Sequence, residues 1–369
     1  MINKVCIVGL GYIGLPTSAI FADAGIEVVG VDVSEKIIST INKGEIHIEE
    51  PGLPELVKRV VDSGKLKASL VPEQADAYIV AVPTPIHKDC TANVDYVVSA
   101  CENIAPLVKK GDIVIVESTI PPRTISDVVA PIFEKVGLSE NDVFLAHCPE
   151  RVLPGKILTE LIENTRIVGG LTAEATEKAA EVYRTVVKGE IILTDATTAE
   201  MTKLMENTFR DVNIALANEL VKISKKLGIN AYDVIEFANK HPRVNLHLPG
   251  PGVGGHCLAV DPYFIVEKAP EEAKLIQTSR DINNSMPAFV VKNIKEILHD
   301  VENAKVSIFG VTYKGNIDDY RESPALEIIE MLQNDSSIEL SIYDPHVPNE
   351  SAPFELVSKE TAVKDSNLV

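Results

Sequence analysis

The segment Gly250-Pro-Gly-Val-Gly-Gly-His-Cys257 sets a cysteine behind four glycines within six residues. Glycines leave a backbone open to close approach by a ligand. If a helix runs from 258 to 268, the thiol sits at its N-terminus with a lysine nearby, the setting in which a thiol becomes a thiolate nucleophile. Asp261, four residues on, shares the cysteine's helix face. Taken alone, the segment favours a blander reading: a buried Cys, and an Asp that caps a helix ahead of Pro262. His256 has no second His or carboxylate pattern beside it, so the sequence supports no metal site.

Near the start, Gly9-x-Gly11-x-x-Gly14 follows the apolar run 5–8 and opens a helical stretch to about residue 24. The next strand ends at Asp32, 18 residues beyond Gly14. In such a strand–turn–helix–strand unit Gly9 makes the turn, Gly11 admits a pyrophosphate to the backbone, and Gly14 lets helix pack on strand. The helix start at Tyr12 and Ile13 offers N–H groups to phosphates. Asp32 suits an adenosine ribose and repels a 2′-phosphate, which favours NAD over NADP; Lys36 is a counter-signal. A glycine turn in a cofactor-free α/β fold is the competing reading. Beside a nicotinamide site the cysteine changes meaning. A thiolate holds an aldehyde as a thiohemiacetal, oxidation gives a thioester, and water hydrolyses it.

Ligands of parallel sheets bind beyond the strands' carboxyl ends. There the sequence places Thr84, Thr119 and Cys148-Pro-Glu150-Arg151; each Thr is also an ordinary turn residue. Glu200, Lys203, Asn207 and Arg210, spaced three, four and three apart, share one helix face. Such a stripe is commonly solvated. Apolar flanks on more than one side (Met201, Leu204, Met205, Phe209, Val212) argue instead for a helix buried between α/β parts. Lys203 and Asn207, one turn apart, then suit an oxyanion or a water. Cys6, Cys90, Cys101 and Cys148 lack any such context and read as packing residues.

The elements that must position these groups form an α/β protein. Runs at 5–8, 28–31, 77–82, 113–117 and 143–147, followed by 166–168 and 191–193, are apolar enough for parallel strands buried on both faces. A long helix spans 197–227 and stops at Gly228. A fresh α/β pattern begins at 306, with strands 306–310 and 338–343 around a helix at 324–332. The division expected is 1–195, a Rossmann-like NAD-binding domain; 196–300, a helical middle; and 301–369, a second Rossmann-like domain.

In 369 residues, 35 Lys and Arg stand against 54 Asp and Glu, a net charge of −19. That excess disfavours nucleic acid or an anionic membrane as partner. Five scattered cysteines without a CxxC pair, no signal-peptide pattern and no membrane-length apolar run lead to the expectation of a soluble cytoplasmic protein.

Together these residues resemble the nucleotide-sugar 6-dehydrogenases, the UDP-glucose/GDP-mannose dehydrogenase family. The matching pieces span nearly the whole chain: 8–16 around the glycine turn, Val82-Pro-Thr-Pro85, Cys148-Pro-Glu-Arg151, Lys203 with Asn207, Gly254-Gly-His-Cys257 and Arg321-Glu-Ser-Pro324. Segments 44–51, 151–155, 207–213 and 241–245 point, within it, to the members that act on UDP-N-acetylmannosamine. UDP-GlcNAc, UDP-GalNAc and UDP-glucose are the alternatives. The resemblance implies oxidation of a sugar C6 hydroxymethyl to a carboxylate with two NAD. It makes Cys257 the nucleophile, Lys203 and Asn207 the oxyanion's partners, and Asp261 and Glu150 the candidate bases. Arg151, Val152, Arg210, His241, Arg243, Gly254, Tyr313 and Lys314, with Lys203 and Asn207, would line the UDP-sugar site. Gly9, Gly11, Tyr12, Ile13, Gly14, Asp32, Thr84, Thr119 and Arg321 would belong to NAD. The basic members supply the local positive charge that an anionic substrate needs in an acidic protein. The resemblance also implies a homodimer through the middle part, with Arg243 reaching the neighbour's sugar site.

Two departures stand out. Tyr313 replaces a frequent Phe. The sequence ends at 367–369, at the start of what reads as a third strand, where the family continues, so the UDP-binding domain is expected to be incomplete here. A single-step hydroxy-acid dehydrogenase of similar layout needs no cysteine at 257, and a silent nucleotide-sugar binder needs none of the catalytic set.

Overall fold

The computed structural model describes residues 2–255 and 257–369, so His256 lies outside the described residues. The chain divides into two compact units, Met1–Met205 and Glu206–Val369. In the first, β1 (Lys4–Val8), β2 (Glu27–Val31), β3 (Leu66–Ser69), β4 (Ala77–Val80), β5 (Ile113–Val116), β6 (Phe144–His147), β7 (Arg166–Gly170) and β8 (Ile191–Asp195) form one sheet. Their order is β3-β2-β1-β4-β5-β6-β7-β8, and the first six positions are the doubly wound dinucleotide-binding order. Alternation along each strand feeds two cores. Val5, Ile7, Ile79 and Ile115 face one layer of helices, and Cys6, Tyr78, Val80 and Val116 face the other.

Two features of this sheet depart from the sequence reading. β3 was not expected: Leu66-Lys-Ala-Ser buries only alternate residues at the sheet edge and gives no continuous apolar run. The strands after β6 do not continue the parallel sheet, because β7 pairs antiparallel with β6 and β8 runs parallel to β7.

The 32-residue helix Ala196–Leu227 leads into the second unit, followed by helices Ala231–Ala238, Asp261–Lys268, Lys274–Asn284 and Met286–Ile297. β9 (Ala304–Phe309) and β10 (Ile338–Tyr343) then pair in parallel around helix Pro324–Gln333. Both flanks of this small sheet are occupied, since Leu368 bridges Val306 and Leu356 bridges Ile342, each in parallel. The helix expected from 258 begins at Asp261, and residues 257–260 form a turn in which Asp261 N–H donates to the Cys257 carbonyl at 2.9 Å. No helix among the described residues is long and apolar enough to cross a membrane.

His147 ends β6 fully buried, and neither ring nitrogen has a hydrogen-bond partner among the described residues. Burial pushes its pKa from the ordinary 6.5 down to about 3. Between those values the unfolded chain binds the extra proton, so stability falls as pH drops through that window. His147→Leu removes this contribution. Relative to wild type, the variant's Tm should gain a few °C between pH 7 and pH 4.5, measured by thermal unfolding at stepped pH; a difference constant with pH refutes the assignment.

Candidate active site

The glycine turn leaves β1 with Gly9 N–H on the Val31 carbonyl at 2.8 Å and Gly9 at φ +97°. A Cβ on Gly14 would sit 1.7 Å from the Gly9 carbonyl oxygen, so only glycine lets helix Gly14–Asp23 start this close to the strand. A Cβ on Gly11, by contrast, would meet nothing within 4 Å. The turn is therefore open at Gly11 and closed at Gly14. Tyr12 is exposed beside it, and the first N–H groups of a helix have no intrahelical acceptor. Asp32 accepts from Leu10 N–H at 3.0 Å on one oxygen and from Ser34 N–H at 2.9 Å on the other. Each oxygen keeps a second lone pair for a ribose hydroxyl. Thr84 and Thr119 come together: the Thr84 hydroxyl donates to the Thr119 carbonyl at 2.6 Å, lacing the ends of β4 and β5. An open backbone at Gly11, a helix start behind it and a positioned carboxylate fit a dinucleotide.

Past β6, Glu150 accepts from Arg151 N–H at 2.6 Å on one oxygen, and its other oxygen lies 3.0 Å from an Arg166 nitrogen. Arg151 turns its guanidinium to the Thr165 carbonyl at 3.3 Å, and Val152 packs against the first core. Buried Glu50 receives Gly155 and Ile157 N–H, each at 2.8 Å, and so pins the segment that follows Arg151. On the long helix, Glu200 is buried and accepts from Ile125 N–H at 2.8 Å, which makes it a structural anchor, while Lys203 is half-buried.

In the second unit, Asn207 donates to Asp261 at 2.6 Å, and both are buried. Val260 is the N-cap of helix Asp261–Lys268 and Asp261 its first residue, so Asp261 does not stand at the cap position that the bland reading gave it. The glycine segment before Cys257 is fixed at both ends. Gly250 N–H donates to Asn218 at 2.9 Å, Asn218 to Asn283 at 2.9 Å, and Asn283 to Asp211 at 2.8 Å, where Arg280 also binds at 2.6 Å. At the other end Gly255 N–H donates to the Glu322 carbonyl, and a Cβ on Gly255 would lie 2.9 Å from the Tyr313 ring. A Cβ on Gly254 would lie 2.4 Å from the same carbonyl oxygen. Arg210, His241, Arg243 and Lys314 are exposed, and Arg321 makes a bidentate pair with Asp319 at 2.8 Å.

Burial sorts the thiols. It pushes Cys6 up to about 11 and Cys101 and Cys148 up to about 12, so they stay protonated, whereas Cys257 is exposed. Sequence reading missed three buried polar residues beside Glu150, namely Glu117, Arg166 and Tyr183. Their signal was available: a Glu and an Arg abut strands otherwise apolar on both faces.

The doubly wound sheet and its glycine turn, with an exposed thiol next to a buried Asn–Asp pair, define an NAD-dependent dehydrogenase. The UDP-glucose/GDP-mannose dehydrogenase family matches along the chain, with its NAD binding domain at residues 3–187, its central domain at 197–285 and its UDP binding domain at 307–369. The protein belongs to this family. It is 51% identical to a UDP-N-acetyl-D-mannosamine dehydrogenase of Methanococcus maripaludis, covering 94% of this chain and 80% of that one. It is 45% identical to an NDP-N-acetyl-D-galactosaminuronic acid dehydrogenase of Ralstonia nicotianae, covering 100% and 89%. The solved UDP-N-acetyl-mannosamine dehydrogenase of Staphylococcus aureus superposes with a TM-score of 0.91 at 56% identity, covering 98% of this chain and 87% of that one.

Gly11 and Gly14 give opposite expectations. Gly11→Ala should keep Tm within about 1 °C yet weaken NAD roughly tenfold, about 1.4 kcal/mol, because its new methyl occupies only ligand space. Gly14→Ala should lower Tm by several °C, since backbone must move. Thermal unfolding and NAD titration of both variants decide it; a destabilised Gly11→Ala with normal NAD affinity contradicts the assignment.

Proposed function

We propose that the protein catalyses the NAD-dependent, four-electron oxidation of UDP-N-acetyl-D-mannosamine at C6, giving UDP-N-acetyl-D-mannosaminuronate. The observation that carries the chemistry is Cys257, exposed in the turn that leads into Asp261 while Cys6, Cys101 and Cys148 are buried. The relatives named for this sugar, at about half of all residues over nearly the whole chain, support the substrate. The galactosaminuronic relative supports the second reading, the same chemistry on another UDP-hexose such as UDP-GalNAc, UDP-GlcNAc or UDP-glucose.

NAD, when bound, accepts a hydride in each of the two oxidations. The chain's residues do the rest. A base takes the C6 hydroxyl proton in the first oxidation, with Asp261 and Glu150 the candidates. The Cys257 sulfur adds to the aldehyde carbon, and Lys203 and Asn207 stabilise the oxygen that gains charge. Loss of the second hydride leaves a thioester, and water, relieved of a proton by Glu150, displaces the sulfur. Gly9, Gly11, Tyr12, Ile13, Gly14, Asp32, Thr84, Thr119 and Arg321 serve NAD. Arg151, Val152, Arg210, His241, Arg243, Gly254, Tyr313 and Lys314 serve the UDP-sugar.

The same reading divides the chain into a cofactor part at 1–195, a helical middle at 196–300 and a UDP-binding part at 301–369. It makes the protein a cytoplasmic homodimer. On helix Ala196–Leu227, Met205, Phe209, Leu216, Ile223 and Leu227 are 41% to 65% exposed. Spacings of four, seven, seven and four residues hold them in a strip about 40° wide, opposite the Lys203–Asn207 face. An exposed apolar strip of this length supports a two-fold interface through the middle part, with Arg243 reaching the neighbour's sugar.

Complete turnover should give two NADH per UDP-sugar and no released aldehyde, with the mannosamine substrate preferred in a panel of UDP-sugars. Cys257→Ser should lose overall turnover by orders of magnitude, because a hydroxyl is a poorer nucleophile and leaving group, while still binding both ligands. One NADH per sugar with accumulating aldehyde rules out the thioester route.

For the dimer, sedimentation of wild type at micromolar concentration should show two chains. Leu216→Glu should shift it to one without loss of secondary structure; a monomeric wild type overturns the assembly.

A further inference from the structure

The strand ends of the first unit bury a charged line of which only the outermost member, Glu150, has a role above. Glu117 directly follows β5 with its side chain 0% exposed, Arg166 opens β7 at 7%, and Glu150 follows β6 at 11%. The guanidinium stands between the two carboxylates, 3.6 Å from Glu117 through one nitrogen and 3.0 Å from Glu150 through the other. The Tyr183 hydroxyl donates to Glu117 at 2.7 Å, the guanidinium lies 5.0 Å over the Tyr183 ring, and the Cys148 sulfur accepts from Arg166 at 3.7 Å. The line thus runs from the interior, where Glu117 is enclosed, to the strand-end edge, where Glu150 is its outermost member.

A buried guanidinium needs one anion to offset its desolvation. Two are present, and the outer one belongs to the Cys-Pro-Glu-Arg segment. We infer that Arg166 is a positioning residue for Glu150, holding that carboxylate in place for the water that attacks the thioester, with Glu117 as the inner anion that competes for the same guanidinium. This rests on the reading of Glu150 as the base above. In the step concerned a water proton passes to Glu150, the hydroxide oxygen bonds to the thioester carbon, and the carbon–sulfur bond breaks with its electrons on Cys257. Glu150 then returns its proton to solvent.

The titratable and charged groups on this line are Arg166 on β7, Glu117 after β5, Tyr183 on helix Ala173–Tyr183 against Glu117 and Arg166, and Cys148 and Arg151 beside Glu150 in sequence. Burial keeps Cys148 and Tyr183 protonated across the working range. Burial, with the nearby Glu150 charge, lifts Glu117 to about 7 against the pull of Arg166. Below that pH Glu117 is neutral and no longer competes with Glu150 for the guanidinium. Above it the two anions share Arg166, which loosens its hold on Glu150. The part of thioester hydrolysis that depends on this hold should therefore fall as pH rises through about 7 in wild type, and the Glu117→Gln variant should lose that inflection.

The test follows the acyl-enzyme by rapid quench and intact-protein mass after mixing full-length enzyme, excess NAD and one equivalent of UDP-N-acetyl-D-mannosamine. Glu150→Gln comes first: if its acyl-enzyme decays normally, the reading of Glu150 as base fails, and the inference with it. Where Glu150→Gln is slow, Arg166→Met should also accumulate acyl-enzyme, decaying about ten- to a hundredfold more slowly, part of the 10²–10⁴ that a placed base contributes. Formation of both NADH and substrate KM should change little, and Arg166→Lys should recover part of the rate. Should Arg166→Met leave Glu117 too poorly compensated to fold, the double variant Arg166→Met/Glu117→Gln removes both charges together and should show the same slow decay. A folded double variant that hydrolyses at the wild-type rate, or a Glu117→Gln profile that keeps the inflection near 7, overturns the inference.

Discussion

A parallel strand covered by helices on both faces has no side on which to place a charge. β1, β4 and β5 illustrate it: every side chain from Val5 to Ile7, Ala77 to Val80 and Ile113 to Val116 is buried. Burying an unpaired charge there is costly, so polar chemistry is displaced to the strand ends. The glycine turn after β1, Asp32 after β2, the Thr84–Thr119 bond after β4 and β5, and Glu150 after β6 all lie at such ends. The constraint also shapes what is exceptional. Glu117 and Arg166 stand where the apolar run stops, and both have partners there: they lie 3.6 Å apart, Arg166 is 3.0 Å from Glu150, and Glu117 accepts from Tyr183.

This accounts for what the sequence disclosed and what it hid. The glycine turn and Asp32 were legible because one short unit holds the whole device, and Gly14 is fixed by its contact with the Gly9 carbonyl within it, although the residues crowding Gly9 itself, Ala81 and Val82, lie on a later strand end. Cys257 was legible by the glycines before it. The partner of Asp261 was not, since Asn207 lies 54 residues away and only folding joins them. The edge strand β3 escaped because its outer residues face solvent, and the reversal at β7 escaped because an apolar run carries no sign of direction. Arg166 was read as strand material because it opens an apolar run, and its two acids come from separate strand ends.

The long helix shows how one element can serve two needs. Asn207 is buried and holds Asp261, while Phe209, two residues on, is 61% exposed. A step of about 200° around a helix of 3.6 residues per turn puts such neighbours on opposite sides. Changes on the apolar strip and changes at Asn207 therefore act through different surfaces, and their effects on stability should add as those of separated sites do.

Thiol reactivity is set by the same distribution of burial. Cys148 lies 3.7 Å from the Arg166 guanidinium, the kind of neighbour that activates a thiol. Yet burial outweighs the cation and leaves its pKa at about 12. Proximity to positive charge is therefore not sufficient for a nucleophile in this fold. Exposure is the property that separates Cys257 from the three buried thiols, and it is secured by backbone, not charge. Gly254 and Gly255 press so closely on Glu322 and Tyr313 that side chains there would not fit. The glycines preceding Cys257 thus let the chain turn in a tight space, and Cys257 stays exposed beyond it.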